Sequence, residues 1–147
     1  MKRKLTLVYP QCSDAKRTER LNALLKEILK DYDCKVIRYA EEFAPLKNQR
    51  ILFAIPLGIS GINLEYFHFL KILRTHTDML EGSVGGIIVD GESELYTKSV
   101  AREFMFTANQ AGCAFPGRAM VEGTESLQNF MHRSLPNTKP VRSSMLL

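Results

Sequence analysis

Two rhythms of apolar and polar positions alternate along the chain. Short β-branched or apolar runs, Lys4 to Val8, Ile51 to Ile55 and Val84 to Val89, each break into a loop of small and polar residues, and an amphipathic helical pattern follows. Near-continuous apolar runs of this length predict strands buried on both faces of a parallel sheet. Thr18 to Asp31 places Leu21, Leu24, Leu25, Ile28 and Leu29 at helical spacing and predicts the first crossover helix. Cys34 to Ala40 reads as a second strand. The polar stretch Glu41 to Arg50, which contains Pro45, is barely long enough for a parallel crossover, so any helix in it must be stunted.

Beyond the third strand, Pro56 to Asn63 leads into a helix carrying Leu64, Phe67, Leu70, Ile72 and Leu73. Gly82 to Val89 is the fourth strand. A helix from Tyr96 to Ala111 stops at Gly112, a residue suited to a left-handed helix terminus. Pro116 and Gly117 punctuate the start of a fifth strand at Arg118 to Glu122, and a short last helix runs to Met131. Five strands separated by helices predict a three-layer α/β/α sandwich, with a five-stranded parallel sheet in the order 2-1-3-4-5. Residues 1–133 form this domain, and 134–147 are expected to be a mobile or partner-docked tail.

Composition narrows the class. The chain has 147 residues, 45% hydrophobic and 24% charged, which suits one soluble globular domain. No apolar stretch approaches the roughly 20 residues that span a bilayer, and the apolar run after Lys2, Arg3 and Lys4 is too short for a signal peptide. Cys12, Cys34 and Cys113 are odd in number and lie far apart, with no metal-ligand spacing. A cytoplasmic protein without disulfide or metal is expected. The net charge of +4 is concentrated in the first forty residues. Most of it reads as a solvated face, with some pull on anionic ligands. No aromatic residues interleave with the basic ones as nucleic-acid modules require.

Ligands of open parallel sheets sit beyond the carboxyl ends of the strands, so the loops from Tyr9, Pro56 and Asp90 are where chemistry is sought. In the first, Ser13, Arg17 and Thr18 lie at a helix N-terminus, where free N–H groups favour a phosphate. Ser13 or Thr18 serves equally well as a plain N-cap. Cys12 followed by Arg17-Thr18 resembles the C-x5-R-S/T loop of small tyrosine phosphatases, but is one residue short, and Cys12 is read as structural. In the second loop, amides freed by Gly58 and Gly61 suit the polar edge of a flat heterocycle, with Leu57 and Ile59 on its face. In the third, Ser93 and Glu94 have an ordinary role at a helix N-terminus, and Tyr96 is placed to stack on a planar ligand. His68, His76 and His132 are scattered and read as surface residues, while Phe104, Met105 and Phe106 read as core.

With these loops in place the chain resembles the flavodoxin-like family, closest to its NADPH-dependent FMN reductase branch, over roughly Leu5 to Met131. Thr18, with Ser13 and Arg17, answers to that branch's phosphate loop. Pro56, Gly58, Ser60 and Gly61 answer to its third-strand loop, and the strand ending at Gly91 to the loop beside the flavin ring. The phosphate-loop glycine and the third-loop tyrosine of the branch are absent here. The resemblance implies an FMN-binding protein, commonly a homodimer, that moves electrons from NADPH or NADH to a small acceptor without a catalytic acid or base from the chain. Ser13, Arg17 and Thr18 would hold the phosphate. Pro56, Gly58, Ser60, Gly61 and Asn63 would line the isoalloxazine, with Gly91 and Tyr96 on its other side. The alternative is a degenerate module of the same fold that binds no flavin and serves in binding or assembly.

Overall fold

The computed structural model describes residues 3–58, 63–91 and 94–116. Its elements run β1 (Arg3–Val8), α1 (Ala15–Ile28), β2 (Tyr32–Ile37), a 3-10 turn (Ala40–Glu42), β3 (Arg50–Pro56), α2 (Leu64–Thr75), β4 (Val84–Asp90) and α3 (Glu94–Gln110). All described strand pairs are parallel, and the order is β2-β1-β3-β4. The described sheet therefore has four strands where five were expected, in the expected order. Arg118 to Glu122, the predicted fifth strand, lies outside the described residues, as do the last helix and the tail. Before it, Ala114 forms an isolated parallel bridge with Val84, its carbonyl accepting from Gly85 N at 2.7 Å.

The sheet carries apolar side chains on both faces, and each face has its own core. On one, Leu21 and Leu25 of α1, with Leu29 just beyond its end, pack against Leu5, Leu7, Leu52 and Ala54. On the other, Val8, Ile51, Phe53, Ile55, Ile87 and Val89 meet α2 and α3, with Phe53 and Phe104 rings 4.8 Å apart. Burying an aliphatic or phenyl side chain contributes about 1.5–3 kcal/mol, so these strands are fixed by what covers them.

Two boundaries moved for local reasons. α1 begins at Ala15, not Thr18, because the Asp14 carbonyl already accepts from Thr18 N at 3.0 Å. β2 runs Tyr32–Ile37 instead of Cys34 to Ala40. Its register pairs Arg3 with Tyr32 and Val8 with Ile37; beyond it Tyr9 N still bonds Ile37 O at 2.8 Å and Gln11 N bonds Arg38 O at 3.0 Å. In α2 the buried face is Tyr66, Phe69, Leu70 and Leu73, while Leu64 is 70% and Phe67 50% exposed. Phe106 also faces outward, whereas Phe104 and Met105 are core.

The crossover between β2 and β3 is stunted as expected. After the three-residue turn the chain runs extended, with Phe43 packed edge-on to Phe69 and Leu46 N bonded to Met79 O. No helix covers that part of the face among the described residues. The facing positions Lys4, Asp33 and Lys35 are correspondingly polar and exposed, and Thr6 Oγ1 bonds Gln49 Oε1 at 2.7 Å. No described helix is long and apolar enough to cross a membrane.

Burial also sets an alkaline limit. Cys113 is fully buried, and desolvation raises its thiol well above the ordinary 9.0. Tyr66 is raised by burial and by donating to Glu103 Oε1 at 2.7 Å. Tyr9 is pushed up to about 12 from 10.0, mainly by burial. Each is an acid whose neutral form the fold favours, so above its ordinary pKa the native state holds more protons than the unfolded chain, and stability falls as pH rises. Urea midpoints should fall from about pH 9, first through Cys113, with each group adding at most about 1.4 kcal/mol per pH unit. The tyrosines join from about pH 10. In Cys113→Ala the onset should move up to about pH 10, and an unchanged onset would refute the assignment.

Candidate functional site at the carboxyl edge

Order β2-β1-β3-β4 reverses between β1 and β3, since the chain leaves β1 toward β2 and returns across it to β3. That is where open α/β sheets form a crevice. Asn63 spans it. Its Nδ2 donates to Pro10 O at 3.3 Å, after β1, and to Pro56 O at 2.7 Å, at the end of β3; its Oδ1 accepts from Tyr66 N at 3.0 Å as the N-cap of α2. One buried amide thus ties two strand ends to a helix start. Both of its N–H donors are engaged in this, so its side chain works on the backbone of the loops rather than on a space between them.

The third loop is drawn in as well. Leu57 N donates to Asp90 O at 2.8 Å, and a Cβ on Gly91 would stand 2.9 Å from Thr97 Cγ2 and 3.3 Å from Leu57 Cβ. Gly91 is therefore required by close packing of the β3 and β4 ends. Leu57 itself is only 1% exposed and belongs to the core, not to a surface that a ring would cover.

The other predicted site residues divide by position. Ser13 is exposed in the first loop. Thr18 sits one turn inside α1, with its N–H and its hydroxyl both donating to Asp14 O at 3.0 Å. The helix N-terminus lies at Asp14, so the amides left open by helix geometry are those of Ala15, Lys16 and Arg17. Arg17 and Tyr96 lie on α1 and α3, and their side chains are outside the described residues. Gly58 is buried two residues after Pro56, while Ser60 and Gly61 fall outside the described residues. Cys12 is buried, and none of the three cysteines forms a disulfide. His68 is exposed beside Glu65 at 3.3 Å, His76 is exposed, and His132 lies outside the described residues. Among the described residues no group of three or more His, Cys, Asp or Glu could hold a metal ion.

A charged cluster that sequence reading passed over stands on the α1 side of this edge. The Arg38 guanidinium lies 4.5 Å above the Tyr9 ring, whose hydroxyl donates to Thr18 O at 3.2 Å. Arg20 Nη2 meets Asp90 Oδ1 at 3.6 Å, with the Asp90 side chain 12% exposed. The available signal was period-two alternation: Leu7 and Tyr9 share a face with Val36 and Arg38, so an aromatic and a cation end neighbouring strands side by side. No family model matches the chain, no curated protein matches it, and no solved structure does.

Proposed function

We propose that this chain binds FMN at the carboxyl edge of its sheet and passes electrons from NADPH or NADH to a small acceptor. The reading is supported by one observation above all, the convergence of the loops after β1, β3 and β4 on the reversal between β1 and β3, tied together through Asn63 and Asp90. The flavodoxin-like layout in the order 2-1-3-4 supports it too. The donor chemistry suits the phosphate end of such a ligand. Ser13 and the first-turn amides of α1 offer hydrogen bonds at the positive end of the helix dipole, and Arg17 lies in the same turn. Thr18 joins them if its hydroxyl leaves Asp14 O. The acidic Asp14 opposes a dianion there and confines it to the Lys16 and Arg17 side.

Bound FMN supplies the two-electron chemistry. Gly58, Ser60 and Gly61 would border its ring on one side, and Gly91 and Tyr96 on the other. Pro56 and Asn63 keep the two loops in register, and no residue is assigned as acid or base. Flavin absorption in the purified protein, or saturable quenching of FMN fluorescence on titration, is the expected result. The double variant Arg17→Gln/Thr18→Ala should weaken FMN binding about 10- to 100-fold, the range of one or two charge-assisted hydrogen bonds, with its unfolding transition unchanged. A colourless protein indifferent to FMN would instead assign the fold to a binding or assembly role without flavin.

A further inference from the structure

The face of the sheet under α1 is unevenly covered. α1 packs on β3, and of edge strand β2 Tyr32 joins this core while Val36 stays outside it. Leu7 is buried, yet its register partner Val36 is 47% exposed. Between them and α1 lies a cavity of about 560 Å³ whose apolar floor is Leu7, Leu25 and Val36. Its polar lining is Arg38, Glu42, Tyr39 and Asn22. Arg38 Nη1 is buried and has no hydrogen-bond partner. Tyr9 holds the guanidinium by its face, which leaves the edge of the fork, where its donors lie, for something else.

We infer that this groove binds a small organic monocarboxylate with an aromatic or branched apolar body, its carboxylate on Arg38 and its body over Leu7 and Val36. A buried guanidinium donor without a partner costs about 1–3 kcal/mol, and a carboxylate that draws the fork outward recovers that along with a planar, charge-matched contact. Glu42 in the same lining disfavours a second negative charge and sets a monoanion apart from phosphate or a dicarboxylate. The apolar floor excludes ions with no hydrophobic body. The site lies on the β2 side of α1, beside the first loop, and the inference stands independently of flavin binding.

The test is titration of the full-length ¹⁵N-labelled protein, without FMN, with phenylacetate, with its neutral analogue phenethyl alcohol, and with inorganic phosphate, followed by amide and guanidinium shifts. Saturable shifts confined to Asn22, Leu25, Val36 and Arg38 are expected with phenylacetate alone. Arg38→Met should weaken that binding at least about tenfold. Val36→Lys, at an exposed position that leaves Arg38 in place, should block the floor and abolish the shifts. Equal binding of the alcohol, preferential binding of phosphate, absence of saturable shifts with phenylacetate, or full retention in Val36→Lys would each overturn the inference.

Discussion

Replacing Gly112 by alanine is expected to destabilise the protein by roughly 4 kcal/mol, read as a lower urea midpoint at unchanged slope. Two terms add. Gly112 has φ +106°, a backbone conformation that side chains avoid at about 1–3 kcal/mol. Its missing Cβ would also fall 2.6 Å from Glu81 Cα and 2.9 Å from Glu81 N, both main-chain atoms that no rotamer change can move aside. Overpacking of this kind costs about 1–3 kcal/mol. The position is demanding because α3 ends against the turn before β4. Leu80 N bonds Ala111 O at 2.9 Å, and Asn109 Nδ2 closes the reversal on Cys113 O at 3.0 Å. A midpoint within about 0.5 kcal/mol of the parent, the ordinary scatter of surface changes, would mean that the reversal is not built this way.

Asn63→Ala should cost about 3–5 kcal/mol and should loosen the carboxyl edge before the rest of the fold. Loss of the cap on Tyr66 N contributes about 1 kcal/mol. The carbonyls of Pro10 and Pro56 lose a buried donor, at about 1–3 kcal/mol each where water cannot replace it. Hydrogen exchange distinguishes this from a general weakening, since the Gln11 amide, bonded to Arg38 O at 3.0 Å, should gain the most in exchange rate. Asn63→Asp should be worse than alanine at neutral pH. It would keep the cap on Tyr66 while setting a buried negative charge against two carbonyl oxygens. Uniform acceleration of exchange across all four strands would refute the local assignment.

These two residues also mark where sequence reading succeeds and where it stops. Gly112 was legible because a glycine directly after an amphipathic helix has a local meaning. Strand order and the stunted crossover were legible for the same kind of reason, since apolar runs and connection lengths are properties of adjacent residues. The tie that Asn63 makes between strand ends was not legible because its partners are invisible locally; Pro10 is 53 positions away. The start of α1 was ambiguous between Ser13 and Thr18, both competent caps, and the helix begins between them, at Ala15. The buried face of α2 was obscured by apolar residues on both sides, Tyr66 and Phe69 inside, Leu64 and Phe67 outside. Arg38 fell inside a predicted strand that in fact ends one residue before it, so its place above Tyr9 was lost.

The short passage between β2 and β3 has a further consequence, for how the molecule keeps to itself. An edge strand offers unpaired N–H and C=O groups to any other chain, and the usual protection is charge pointing along it. A full helix over that corner would have demanded apolar residues at 4, 6, 33 and 35, making β2 a sticky border. Because only an extended strap crosses there, Asp33 and Lys35 stand in water beside Lys4. The missing helix and the guarded border are thus a single trait, and lengthening the passage into a helix without recolouring those four positions would strand charges beneath it.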